Sequence, residues 1–451
     1  MAAEVPRQLG GGPGTSAGFA LSYAIRQTTG QAADPAREPR CRPPGGAHKT
    51  KKRKNMFEQL KAVAPDPILG IIAAYAADTN PKKVDLGVGV YRNEDGETPI
   101  LGCVHEAERR LLETESSKAY LGPAGVAGFN EGITRVLFGA DSDVVRAGRV
   151  RTIQTPGGTG GLRVAGDLIH SASPETALWA SDPTWGNHLA LFPAAGLEMH
   201  SYPYFDPEHS ALRYEDMMDA IGRRGPGDAV LFHACCHNPC GVSPDPDQWH
   251  EIADLAADKG FTPVIDIAYM GFERGLEEDC LAVRLFAERC PEVIVAMSCS
   301  KNFAMYRDRV GAISVVSENP DRASAVETVI NKLTRANYSM PPAHGPAVID
   351  IILHSDDLRS LWEEEVAGMR DRINGLRRVL AEKFREAGVE RDFSFMERQS
   401  GMFSFMGLSV EQVHRLRDEF SIYMVDSGRI NVASLNADNI DYFVESVATV
   451  L

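Results

Sequence analysis

No stretch of this 451-residue chain approaches 18 consecutive apolar residues, so no membrane-spanning helix is expected. Basic charge is in short supply. The 47 Lys and Arg against 62 Asp and Glu leave a formal charge of −15, which argues against a general affinity for nucleic acid. Cysteine is present but unpatterned. Cys41, Cys103, Cys235, Cys236, Cys240, Cys280, Cys290 and Cys299 are irregularly spaced and provide no disulfide framework, and several fall inside apolar runs, as suits a reducing cytoplasm. Cys235, Cys236, His237 and Cys240 could be taken for a zinc cluster. Adjacent residues of a strand point to opposite faces, however, and no second ligand pair lies nearby, so no metal is expected. No internal repeat is visible.

A hydrophobic content of 43 % over this length can bury a sizeable core and predicts two domains. The charge is uneven. Residues 1–55 hold ten Lys or Arg against Glu4, Asp34 and Glu38, about +7, which leaves about −22 on the remainder. This segment is rich in Gly, Pro, Ala and Arg, ends in HKTKKRKN and has no periodicity, so it reads as a disordered basic extension. Two origins compete: a targeting or nucleic-acid-binding arm, or upstream sequence translated from a start codon assigned too early. The compositional bias and the lack of an amphipathic helix favour the second.

From Thr152 to Ser317 short apolar runs alternate with helical patterns, with strands expected near 150–155, 177–182, 229–236, 261–267, 292–298 and 311–317. That alternation predicts an α/β fold, a mostly parallel sheet between helices. A long charged amphipathic pattern from Asp356 to Ala387 predicts a helix leading to a smaller α/β domain. The expected division is a large domain of 99–364 and a small one of 56–98 plus 365–451.

The most informative segment is SCSKNFAMYRDRVG, Ser298 to Gly311, which follows the apolar run PEVIVAM. Ser298, Ser300 and Arg309 suit the oxygens of a phosphate, and Lys301 between them carries an amine that can condense with an aldehyde. Pyridoxal phosphate carries both groups on one ring. Four further segments fit such a ligand: RTIQTPGGTGG (Arg151 to Gly161) before a helical pattern, DPTWGNH (Asp182 to His188), CCHNPCG (Cys235 to Gly241), and FTPVIDIAY (Phe261 to Tyr269).

In type, order and approximate spacing these segments resemble the class I, fold type I aminotransferases that depend on pyridoxal phosphate. Within them the chain is similar to the aspartate/aromatic amino acid aminotransferase family, from about Met56 to Leu451. The resemblance implies that Lys301 binds the cofactor aldehyde and then shuttles a proton, and that Asp266 pairs with the ring nitrogen. It implies that Asn238 and Tyr269 hold the ring's phenolic oxygen, that Trp185 stacks on the ring, and that His188 and His233 stand behind the aspartate. Gly157, Gly158 and Thr159 would join Ser298, Ser300 and Arg309 around the phosphate at a helix N-terminus. Arg429 would fork onto the substrate α-carboxylate, with Gly89, Trp185 and Asn238 also contacting substrate. Tyr120 and Arg335 would reach, in a homodimer, the phosphate and the distal carboxylate of the neighbouring subunit's site.

The chain departs from the family pattern at Met340, Cys240, Ala304, Met305 and Ala119. Met340 and Ala119 make the region near the substrate side chain less polar, which favours accepting an aromatic ring beside a dicarboxylate. The expected activity is therefore transfer of an amino group from aspartate and/or aromatic amino acids to 2-oxoglutarate in a ping-pong cycle. The alternatives are a lyase or decarboxylase on the same fold, and a non-catalytic regulator whose tail binds DNA.

Overall fold

The computed structural model describes residues 55–62 and 67–451. The chain divides into two units between Val63 and Ala64. In the first, Met56–Gln59 form one short 3-10 helix with no buried residue. The expectation for residues 1–55 lies outside the described residues apart from Asn55.

The second unit is organised by a seven-stranded sheet. In chain order its strands are β1 (Val150–Pro156), β2 (Ala177–Asp182), β3 (Glu198–Pro203), β4 (Asp228–His233), β5 (Thr262–Ile267), β6 (Val293–Ser298) and β7 (Val310–Val316). Their order across the sheet is β1-β7-β6-β5-β4-β2-β3. All pairs are parallel except those of β7, which runs antiparallel to β1 and β6. The mostly parallel sheet predicted from the sequence is thus present, with one strand that the sequence pattern did not disclose. Strand β3 reads EMHSYP, without an apolar run, because it is the edge of the sheet and is only partly covered.

Successive residues of the central strands feed two different cores, as the two-residue period of a strand requires. Val230, Phe232, Ile265, Val293 and Val295 pack on one face. Ala229, Leu231, Val264, Ile294 and Ala296 pack on the other, against helix α1 (Gly157–Ala172). A third core gathers Val84 and Leu86 with residues from Leu380 to Val450. The long helix predicted from Asp356 spans Asp356–Glu386 and contributes Leu380 and Phe384 to that core. We retain as a proposal the division into 99–364 and 56–98 plus 365–451, supported by this third core.

Register explains where polarity collects. His233 is level with Asp266 on β4 and β5, and Ser298 is level with Gly311 on β6 and β7. The carboxyl ends of three parallel strands therefore open at one edge, beside the start of α1. That start must come close. A Cβ on Gly311 would lie 2.4 Å from the carbonyl carbon of Gly157, and Gly157 itself has φ +73°, so glycine at both positions lets α1 approach the sheet.

Candidate active site

A cavity of about 250 Å³ opens at that edge. Asp266, Lys301, Ser298, Ser300, Arg309, Gly89 and Arg429 line it. Gly158, Thr159, Trp185, Asn238 and Tyr269 complete the set of sequence-derived candidates that line it. Tyr120 and Arg335 are not among them. Both are exposed, Tyr120 by 94 %, and both line a separate surface cavity with Met340 and Ser339.

The lysine is unusual for its charge type. Lys301 Nζ lies 4.7 Å from the centre of the Tyr269 ring and makes no hydrogen bond among the described residues. Burial lowers its pKa to about 8; Asp266 opposes the shift and the Arg309 charge adds to it. The amine of the ligand-free protein is therefore expected to be half-reactive near pH 8, not near the ordinary lysine value of 10.5. Labelling with a soluble aldehyde and a borohydride across pH 6 to 11, read by mass spectrometry at Lys301, checks this. A midpoint near 10 would remove the proposed desolvation.

Asp266 is 7 % exposed and accepts a hydrogen bond from His188 Nε2 at 3.2 Å. Burial alone would raise its carboxyl, but that bond and the charges facing it hold it below the ordinary value. The partners behind it form a directed chain. The Asn238 backbone N–H donates to His233 Nδ1, so a neutral His233 carries its proton on Nε2. Burial and His188 push the His233 pKa down to about 3, which keeps the ring neutral. Nε2–H then donates to Thr184 Oγ1 at 3.1 Å, Thr184 donates to His188 Nδ1 at 2.9 Å, and His188 Nε2–H is left for Asp266. The network thereby assigns each tautomer and leaves the carboxylate as its only anion.

Arg309 Nη1 donates to the Tyr306 carbonyl at 2.9 Å and to Ser300 Oγ at 3.4 Å. A Cβ on Gly157 would lie 2.4 Å from Arg309 Nη2, and one on Gly158 would lie 2.9 Å from Ser298 Cβ. Two hydroxyls, a guanidinium and the amino end of a 16-residue helix thus meet at one point. That is the donor set a phosphate requires. Arg429 is 6 % exposed, and its Nε is buried with no partner. Its Nη2 donates to the Gly87 carbonyl at 2.8 Å, and its Nη1 reaches Asn238 Oδ1 only at 3.5 Å. A buried guanidinium with an unused N–H is matched to an incoming carboxylate. The free amine, the ionised Asp266, the phosphate cup and the unsatisfied guanidinium all fit pyridoxal phosphate and an amino acid.

Three residues in or behind the cavity escaped the sequence reading. Thr184 had a weak signal, four residues before His188 in DPTWGNH. Phe403 had none; its ring lies 4.2 Å under the Arg429 guanidinium and edge-on to Tyr269. Tyr306 sat within the lysine segment without an assigned task.

The cysteine cluster differs from its expected geometry. Strand β4 ends at His233, so Cys235 and Cys236 do not alternate; their sulfurs and an Asp279 oxygen lie within 4.8 Å of one another. His237 and Cys240 are elsewhere, hydrogen-bonded to each other at 3.1 Å. Asp279 is committed to the amides of Gly271, Glu273 and Arg274, and burial holds the Cys236 thiol up at about 11, so the group acts as a loop brace. All seven cysteines among the described residues are buried and unpaired.

Comparison with known proteins agrees with this geometry. The family model for aminotransferase class I and II matches residues 81–447. An aspartate aminotransferase of Haemophilus influenzae is 46 % identical over 396 residues, covering 88 % of this chain and 100 % of that protein. An aromatic-amino-acid aminotransferase of Pseudomonas aeruginosa is 46 % identical over 394 residues, covering 87 % of this chain and 98 % of that protein. Among solved structures, the aromatic-amino-acid aminotransferase of Burkholderia pseudomallei, covalently bound to pyridoxal phosphate, superposes with a TM-score of 0.86 at 43 % identity. That match covers 88 % of this chain and 100 % of that one.

Proposed function

Because the chain belongs to the class I and II aminotransferases, and is therefore an aminotransferase acting on amino and 2-oxo acids, we propose that it moves the amino group of aspartate and/or aromatic amino acids to 2-oxoglutarate with pyridoxal phosphate as cofactor. The observation that carries the reading is the single cavity that joins Lys301, Asp266, the phosphate cup and Arg429. When bound, the cofactor supplies an aldehyde that takes up the amino group and a ring that accepts the electrons released at the substrate α-carbon.

The remaining work belongs to side chains. Arg429 binds the α-carboxylate and orients the α-carbon, aided by Gly89, Trp185 and Asn238. Lys301, as a free amine, would take the proton from that carbon and deliver it to the cofactor's former aldehyde carbon, two bonds away across the transferred nitrogen. Asp266 keeps a proton on the ring nitrogen. Asn238 and Tyr269 hold the phenolic oxygen, and Trp185 forms a flat wall. Ser298, Ser300, Arg309 and the amides of Gly158 and Thr159 hold the phosphate.

Tyr120 and Arg335 belong, in this proposal, to a homodimer in which each serves the other copy's site. Their exposure on a separate cavity supports that assignment, since neither lines the cavity of its own chain. Met340 lines one cavity with Arg335 and an adjoining one with Ala119 and Tyr120, and these apolar side chains support acceptance of aromatic side chains as well as dicarboxylates. No helix among the described residues is long and apolar enough to cross a membrane. The proposed location is the cytoplasm.

Steady-state rates with aspartate, tyrosine and phenylalanine against 2-oxoglutarate test the proposal, and absence of turnover with all three would overturn it. Arg335→Ala separates the two substrate classes. Loss of a charge-paired fork costs roughly 2–5 kcal/mol, so kcat/KM for aspartate is expected to fall by about 30- to 4,000-fold while that for phenylalanine changes far less. Equal losses for both would mean that Arg335 only supports the interface.

A further inference from the structure

The segment from Gly87 to Tyr91 runs past the cavity, which Gly89 lines. Its carbonyls are held from one side. Arg429 Nη2 donates to the Gly87 carbonyl at 2.8 Å, and Asn431 Nδ2 donates to the carbonyls of Val88 and Val90, each at 2.7 Å. Arg429 and Asn431 lie on one short strand, Arg429–Asn431. Its far end is tied differently. The Tyr91 backbone N–H donates to the Tyr306 hydroxyl at 2.8 Å. Among the described residues this is the hydrogen bond that connects the strap to the segment carrying Lys301 and Arg309.

Tyr306 is itself well fixed. Its side chain lines the cavity, and its carbonyl accepts Arg309 Nη1 at 2.9 Å. Burial holds its hydroxyl protonated, with the pKa pushed up to about 12, so the oxygen stays a neutral acceptor at any physiological pH. Tyr91 has separate anchors: the residue is 6 % exposed, Arg372 lies 5.7 Å over its ring, and Thr98 Oγ1 donates to its backbone carbonyl at 3.0 Å. Removing the Tyr306 hydroxyl would therefore free one amide while leaving Tyr91 packed. There is little room for the strap to shift inward, since a Cβ on Gly89 would lie 2.9 Å from Phe403 Cζ.

We propose that Tyr306 is a positioning residue whose hydroxyl latches the Gly87–Tyr91 strap over the cavity and so sets the affinity for the amino acid substrate, without acting on the reacting atoms. The proposal rests on the aminotransferase reading of the cavity. It predicts a division of labour within one residue: the carbonyl of Tyr306 serves the phosphate side through Arg309, and its hydroxyl serves the substrate side through Tyr91.

Tyr306→Phe in the holoenzyme tests it, because the substitution removes one oxygen and leaves the carbonyl and the ring. Loss of one such hydrogen bond is expected to raise the KM for aspartate by about 2- to 10-fold, with kcat and cofactor affinity within about 2-fold of wild type. Hydrogen–deuterium exchange over residues 87–91 should quicken by a similar factor, while the melting temperature shows that the fold is kept. Unchanged exchange at Tyr91, or faster exchange with an unchanged KM, would overturn the latch. A parallel fall of kcat and cofactor affinity would also overturn it, by assigning the hydroxyl to the phosphate side. Should the wild-type enzyme turn over neither aspartate nor an aromatic amino acid, the proposed substrates fail, and the exchange measurement still judges the latch independently.

Discussion

Lys301→Ala is expected to lose about 10⁴-fold or more of its transaminase turnover while keeping its fold and its grip on the cofactor phosphate. The lysine is the one amine in the cavity, and burial lowers its pKa to about 8, so an appreciable share of it is a free base near neutral pH. Alanine offers neither the nucleophile nor the proton carrier, and no neighbour stands in for it. Tyr269, the nearest candidate, has its hydroxyl pushed further toward the protonated form by burial. The phosphate donors are independent of the amine: Arg309 is held by the Tyr306 carbonyl and by Ser300, and Ser298 Oγ accepts the Ser300 backbone N–H. Turnover with aspartate, equilibrium dialysis of pyridoxal phosphate and a melting curve check the three parts. Transamination near the wild-type rate would remove Lys301 from its proposed role.

Asp266→Ala has the second largest expected effect, a loss on the order of 10³-fold in kcat if the ring-nitrogen charge supplies about 4 kcal/mol. The substitution deletes the only anion of a buried chain whose histidines are oriented to support it, and it leaves His188 Nε2–H without an acceptor. Some destabilisation will accompany that loss, so Asp266→Asn is the sharper companion. Asparagine can still accept from His188 but carries no charge, and it is expected to be nearly as slow as alanine. A decrease of only a few-fold in both variants would mean that another residue holds the ring nitrogen.

The candidate site was legible in the sequence where chemistry and local pattern coincide. Lys301 just after two hydroxyls at the end of a buried strand, and Asp266 at the end of another, could be read because a strand end is an odd place for such groups. Phe403 and Tyr306 could not. Each is an ordinary aromatic in its own segment, and its importance comes from what lies across the cavity: Arg429 at 4.2 Å for one, the Tyr91 amide at 2.8 Å for the other. Strand β3 was missed because an edge strand buries too little to need an apolar run. The argument against a metal at Cys235 and Cys236 assumed a strand that in fact stops at His233; what speaks against a metal is the set of amides already holding Asp279.

Sequence alone determined the α/β class, the central strands and the long helix after Asp356. These depend on composition and short-range periodicity, which a single segment contains. Tertiary structure alone decided the rest. It set the level of His233 with Asp266 across two strands, brought the start of α1 against Gly311, directed the hydrogen-bond chain from Asn238 to Asp266, and left the Arg429 Nε without a partner. Those features join residues tens to hundreds of positions apart, and their register follows from how strands and helices pack, information that no local stretch of chain carries.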